Sequence, residues 1–215
     1  MQNSEEMDFR EGLMYDVAVK RSDTNFFKGD TTDLVFDTAT NSLKIGDSGL
    51  PGGASSYSQY LLGDFEFTVQ VGSLSPDSND SEKKWGLINL GDFLERGAAY
   101  YEMAYDTIND TMNTRPFRAI IKDEYGNRKR TNITWDTLWN NAKVRYRITW
   151  ENDACRFLIN DSIYATLDGR SDTSGGAFTG INTFIPQALR IVNRTADDTA
   201  MKMSSITIRH SRKVI

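Results

Sequence analysis

Val144-Arg145-Tyr146-Arg147-Ile148-Thr149-Trp150, then Arg156-Phe157-Leu158-Ile159-Asn160, then Ile163-Tyr164-Ala165-Thr166-Leu167, carry the fold of this chain. Each segment is rich in β-branched and aromatic residues and partly alternates apolar with polar, as strands do. The links Glu151-Asn152-Asp153 and Asn160-Asp161-Ser162 are turn formers, whose short side chains bond nearby backbone and tolerate a left-handed conformation. Three antiparallel strands in so little sequence form a meander, and a meander belongs to a larger all-β structure.

The pattern continues on both sides. Asp64-Phe65-Glu66-Phe67-Thr68-Val69-Gln70-Val71 alternates strictly, so Phe65, Phe67, Val69 and Val71 share one face of a half-buried strand. Asp33 to Asp37 and Ser42 to Gly46 read as a hairpin around Ala39-Thr40-Asn41. Trp85 to Leu90, Ala99 to Asp106, Phe117 to Lys122, Ala188 to Val192 and Met201 to Ile208 are further strands. Gly46 to Ser58, with four glycines and Pro51, reads as a loop, as do Ser73 to Lys84 and Ser171 to Gly176. A turn at Glu124-Tyr125-Gly126-Asn127 leads toward Thr131. Thr134 to Asn141, carrying Trp135, Leu138 and Trp139, is the best helical stretch, a turn or two long. Short strands with turn signals at intervals of about ten residues are the signature of a sandwich or jelly roll. The chain therefore divides into an N-terminal arm or lead-in over 1–28, which lacks a clean period, and one sandwich domain over 29–215.

At 215 residues and 39% hydrophobic the chain can bury a single large core. Its net charge of −5 argues against nucleic acid, which needs a concentrated basic patch. Arg128-Lys129-Arg130 and Arg209 to Lys213 are local and partly offset by acidic neighbours. The single cysteine, Cys155, cannot form an internal disulfide and reads as a small core residue; with one histidine, His210, it makes no zinc-finger set and no Cys/His nucleophile pair. The polar, acidic first residues do not resemble a signal peptide and no run reaches transmembrane length, so membrane insertion is not expected. Localisation stays open, with a virion or an extracellular surface favoured. The five Asn-x-Ser/Thr matches, at Asn79, Asn109, Asn132, Asn160 and Asn193, are read as turn chemistry first and glycan acceptors second.

From Asp33 to Arg209 the order of segments resembles the concanavalin A-like lectin/glucanase superfamily, especially laminin-G-like domains and family-16 glycoside hydrolases. Tyr146-Arg147-Ile148-Thr149-Trp150 and Arg156-Phe157-Leu158-Ile159-Asn160-Asp161-Ser162 are similar to that family's meander, with Asn160-Asp161-Ser162 replacing its usual Asp-Gly turn. The resemblance implies a jelly-roll sandwich of two antiparallel sheets. It implies little about activity, since this architecture hosts enzymes, lectins and structural modules.

Family-16 hydrolases carry Glu-x-Asp-x-Glu on the strand after the aromatic one. The corresponding residues here are Glu102-Met103-Ala104-Tyr105-Asp106. A period of two puts Glu102, Ala104 and Asp106 on one face. Retaining hydrolysis needs two carboxyl groups about 5 Å apart with separated acidities. Ala104 lacks the central carboxylate, and Asp106 is a methylene shorter than the expected acid/base. A misplacement of about 1 Å costs about a hundredfold in rate. The reading therefore leans away from an enzyme, with Glu102 and Asp106 as the residues of a degenerate hydrolase if it is one. The plain alternative is a solvated strand face with Tyr101, Met103 and Tyr105 in the core.

A lectin-like reading uses Trp85, Asn89, Glu102 and Asp106 as ligand-binding residues, pairing an aromatic ring with planar groups that bond sugar hydroxyls. Any of Trp85, Trp135, Trp139 and Trp150 could be the platform, although a tryptophan is more often core. No cofactor is expected. Calcium is open through Asp77-Ser78-Asn79-Asp80 or Asp197-Asp198, neither of which has a distinctive ligand spacing. The function expected is a non-catalytic binding or display module that recognises a glycan or another surface, within a larger assembly such as a virion. A purely structural virion decoration or fibre-associated role is the alternative. The arm, with Phe9, Leu13, Met14, Tyr15, Val17 and Val19, could dock a protein partner or a second copy, or add a strand to its own domain.

Overall fold

The computed structural model describes residues 13–15, 27–29, 34–37, 39, 42–45, 52–72, 82–88, 99–104, 116–172, 175–185, 187–194 and 201–210. Their strands are β1 Leu13–Tyr15, β2 Phe27–Gly29, β3 Leu34–Asp37, β4 Ser42–Ile45, β5 Gly52–Tyr60, β6 Asp64–Gln70, β7 Glu82–Ile88 and β8 Ala99–Ala104. They continue as β9 Phe117–Lys122, β10 Arg128–Ile133, β11 Val144–Glu151, β12 Ala154–Ile159, β13 Ser162–Asp168, β14 Gln187–Arg194 and β15 Met201–His210. One 3-10 turn, Thr137–Trp139, sits in the predicted helical stretch, its first turn capped by the Asp136 carboxylate on the Leu138 amide. No helix among the described residues is long and apolar enough to cross a membrane.

Two antiparallel sheets result. One runs β13-β12-β11-β6-β15-β4-β3, with β1 also on β15; the other runs β10-β9-β8-β7-β14-β5-β2. The last two strands slot between early ones, β14 between β7 and β5 and β15 between β6 and β4, so each sheet closes only when the C-terminal strands arrive. Two pieces of the stretch read as an arm belong to these sheets: β1 pairs with β15 and β2 with β5.

The meander stands as read. Asn152 and Asp153 link β11 to β12, and Asn160 and Asp161 link β12 to β13, all four with φ between 48° and 68°. Positive φ at both central residues is the type I′ hairpin, which Asn and Asp enter at lower cost than other non-glycine residues. That explains how Asn160-Asp161 takes the place of an Asp-Gly turn. Asn160 Oδ1 also accepts the Arg145 amide at 3.2 Å, the turn role expected of that Asn-x-Ser match. Asn193 is 1% exposed and donates to Ile45 O at 2.9 Å, so it is not a glycan acceptor in this fold.

Two readings change. The loop assigned to 46–58 holds β5, a run of small and polar residues with little apolar alternation that becomes a strand by pairing on both sides, with β14 and β2. The loop assigned to 73–84 ends earlier, because β7 starts at Glu82 and not at Trp85. Strand β6 keeps Phe65, Phe67 and Val69 fully buried, but Asp64 and Glu66 on its other face are only 7% exposed. The strand lies inside the sheet, and Arg147 on β11 closes over Asp64.

The core between the sheets is aromatic. Trp85, Tyr101 and Phe117 come from adjacent strands and stack with centroids 5.6 to 5.7 Å apart, and Tyr146 of the opposite sheet meets Trp85 edge-on at 4.8 Å. Tyr101 pins the layers together: its hydroxyl lies 2.8 Å from Leu158 O and 3.0 Å from Arg147 O, both in the facing sheet. Burial, with the nearby Cys155 and Tyr146, raises the phenol far above its ordinary range, so it stays a donor. Tyr101→Phe leaves two buried carbonyls without that proton. The expected loss is about 1–2 kcal/mol, read as a lower urea midpoint with an unchanged slope.

Candidate functional site

The face of the seven-stranded sheet turned away from that core carries the chemistry. Along β8, Tyr101 and Met103 point inward while Tyr100, Glu102 and Ala104 point to this outer face. Cross-strand register aligns Lys84 of β7, Glu102 of β8, Arg118 of β9 and Asn132 of β10 in one row. The next row holds Gly86, Tyr100, Ile120 and Arg130. Gly86 lets the β8 backbone approach closely, since a Cβ there would sit 2.6 Å from Ala99 O and Tyr100 Cα.

Glu102 lies 3.5 Å from Lys84 Nζ and 4.0 Å from Arg118 Nη1, and Lys84 also pairs with Glu82. Arg118 donates to Ala104 O and to Asn132 Oδ1, both at 3.3 Å. The ammonium groups of Lys84 and Lys122 stand 5.5 and 5.6 Å from the Tyr100 ring centroid. Glu102 is 6% exposed. Burial raises its pKa above the ordinary carboxylate value; Lys84, Lys122 and Arg118 pull it down and Glu82 pushes it up, and burial prevails.

The four ligand-binding residues read from sequence are separated by this geometry. Glu102 is on the outer face. Trp85 is fully buried on the core face of the neighbouring strand, in the aromatic stack, so it cannot be a sugar platform. Its register partner is Tyr101, not Glu102, which puts the two candidates on opposite sides of one sheet. Asn89 and Asp106 lie outside the described residues. Glu102 does not occupy the solvated face of the plain alternative either. Among the other tryptophans, Trp139 is buried, while Trp135 and Trp150 are half-buried against the core, with Trp135 Nε1 donating to Asn140 Oδ1 at 2.9 Å. The reading missed Lys84, Tyr100, Arg118 and Lys122. Extending the period of two from Trp85 and Leu87 back to Lys83 and Lys84 is the signal that finds the first of them.

Among the described residues no three Asp, Glu, His or Cys side chains converge as a metal site. Both Asp-rich calcium candidates, 77–80 and 197–198, lie outside the described residues.

No family model and no curated protein matches the chain. Solved structures do. The transglycosylase Crh5 superposes with a TM-score of 0.63 at 12% identity over 93% of this chain and 84% of its own. The carbohydrate recognition domain of Emp46p gives 0.62 at 9% identity, covering 97% and 99%. This is the concanavalin A-like jelly roll. SCLam, a non-specific endo-β-1,3(4)-glucanase of family GH16, aligns with a TM-score of 0.60 at 12% identity over 91% and 88%. Likenesses this remote establish the architecture, the two-sheet antiparallel fold expected from the meander.

Proposed function

We propose that this jelly roll is a non-catalytic module that binds carbohydrate. The observation that carries the reading is the state of Glu102. On this strand a retaining hydrolase needs a free nucleophile and a second carboxyl group about 5 Å away. Here Glu102 lies between Lys84 and Arg118, the carboxylate of Glu82 is tied to the same lysine, and position 104 is alanine. Charges paired in this way bind and orient polar groups, but a neutralised carboxylate attacks poorly. The presence of sugar-binding domains and glycan-acting enzymes among the structural relatives supports carbohydrate as the ligand class. Adhesive display on a larger assembly, a virion among the candidates, is the finer part of the proposal. It rests on recognition being the use left to a strand whose Glu102 is held by Lys84 and Arg118 and whose position 104 is alanine. Strands β1 and β2 are already engaged within the chain's own sheets, so a docking role for the lead-in falls to its other residues.

The test is a glycan array with the full chain, followed by calorimetry on the best ligand and a reducing-end assay on β-glucan. A saturable ligand, weakened about tenfold by Glu102→Gln (a loss of about 1.4 kcal/mol), with no new reducing ends, is the expected result. Reducing ends that disappear with Glu102→Gln would instead establish a hydrolase. A full array without a hit would sink the carbohydrate reading.

A further inference from the structure

The outer face of the opposite, eight-stranded sheet carries a cleft of about 450 Å³ between β6, β11, β12 and β13. Its size lies within the range of small-ligand sites, about 300–1,000 Å³. All its lining residues are described, and none of them takes part in the Glu102 cluster.

The polar lining is made of two ion pairs around a hydroxyl. Arg147 grips Asp64 with two N–H groups, Nε to Oδ1 at 2.7 Å and Nη2 to Oδ2. Arg156 Nη1 donates to Glu151 Oε2 at 2.8 Å. A guanidinium has about five N–H donors, so each arginine keeps most of its fork unspent after holding its carboxylate. Between them stands Thr149, register partner of both Asp64 and Arg156, whose hydroxyl has no partner among the described residues. The other wall is aliphatic: Leu158 opposite Ile163, which is 58% exposed on the edge strand. The Trp150 ring is not part of the polar surface. It is packed so tightly on Gly169 that a Cβ there would lie 2.1 Å from Cη2.

This inventory selects a ligand. The two carboxylates and two guanidiniums sum to zero, so a bare anion or cation gains little, because each charge is already answered. Fixed donors and acceptors side by side, flanked by an aliphatic strip, suit a neutral molecule with hydroxyls on its edge and C–H groups on its face. We propose that this cleft is a saccharide site, separate from the Glu102 face and taking a neutral sugar of one or two rings. Arg156 and Thr149 bond ring hydroxyls, the outer edge of Arg147 donates a further bond, and Leu158 with Ile163 covers the C–H face. Arg147 and Asp64 are positioning residues as well: the bidentate grip fixes the guanidinium plane before the ligand arrives, which lowers the ordering cost of binding.

The experiment is an amide-resolved NMR titration of the full chain with cellobiose and with laminaribiose, and separately with sodium sulfate. Saturable shifts at residues 147–151, 156–158 and 163 with either disaccharide are expected. They should persist in Glu102→Gln and weaken at least tenfold in Arg156→Ala, a half-exposed site whose loss leaves the remaining spectrum unchanged. Thr149→Val, equal in shape but without the hydroxyl, should weaken binding several-fold. Shifts confined to 100–104 and 118–120 overturn this site while leaving carbohydrate binding at the Glu102 face standing. A response to sulfate alone makes it an anion site and overturns the proposal, as does the absence of any disaccharide response at millimolar concentration.

Discussion

Asp123→Ala is expected to release one end of the sandwich. Asp123 directly follows β9, is fully buried, and its carboxylate accepts five hydrogen bonds. Oδ1 takes the amides of Tyr125 and Asn127 at 3.0 and 2.8 Å, shaping the turn into β10. Oδ2 takes Asn127 Nδ2 at 3.0 Å and the amide and hydroxyl of Thr179 at 2.8 and 3.0 Å, which ties that turn to the segment after β13. Asn127 completes the latch by donating to Ala177 O at 2.8 Å, and Lys129 braces it from β10, reaching Arg170 O at 2.8 Å and Asp172 at 3.0 Å. Alanine leaves three backbone N–H groups without their acceptor. Each costs about 1–3 kcal/mol when buried, less where water can enter. A total of about 3 kcal/mol is expected, with rapid amide exchange at Asn127 and Thr179 before the rest of the fold opens. The pH dependence has a definite sign. Burial alone would raise the Asp123 pKa, but the bonds from Thr179, Asn127 and Tyr125 outweigh it and hold it below the ordinary value. A folded value below the unfolded one, about 3.9, means the stabilisation is fully present above that pH. It is lost as pH falls through the lower folded value. The stability gap between wild type and variant should therefore be flat from neutral pH to about pH 5 and close below about pH 4. A gap that stays constant into strong acid would refute the latch.

That latch shows where the sequence stops being readable. The turn at 124–127 was visible from its residues, but its anchor to Thr179 spans 56 positions and leaves no local pattern. The meander, the β3–β4 hairpin and the inward face of β6 were legible because their apolar period and turn residues are local signals. Strand β5 was not, because its residues carry little apolar alternation and its identity comes from its two neighbours. The site follows the same division. Glu102 and Ala104 were placed on one face by the period of two along β8, and that placement holds. Whether Trp85 joins them depends on inter-strand register, which aligned it with Tyr101. Likewise, the cations beside Glu102 come from β7 and β9, and only pairing brings them together.

Trp85→Ala should therefore act on folding and not on recognition. The indole is wholly buried and stacks against both Tyr101 and Phe117, each 5.7 Å away, with Tyr146 edge-on from the other sheet. Truncating a buried Trp or Phe to alanine costs about 3–5 kcal/mol through lost transfer energy and the cavity left behind. Here the loss falls in the upper half of that range, because three neighbouring rings lose a partner at about 0.5–1.5 kcal/mol per pair. Against a total stability of about 5–15 kcal/mol, that is a large fraction. With a urea slope of about 1–3 kcal/mol/M, the midpoint should fall by about 2 M. The same variant decides between the two roles weighed for this residue. A platform tryptophan, removed, leaves the midpoint nearly unchanged and abolishes sugar binding. A core tryptophan, removed, lowers the midpoint while the fraction still folded binds sugar with wild-type affinity, because the outer-face row of Lys84, Glu102 and Arg118 is carried by side chains on the other side of the sheet.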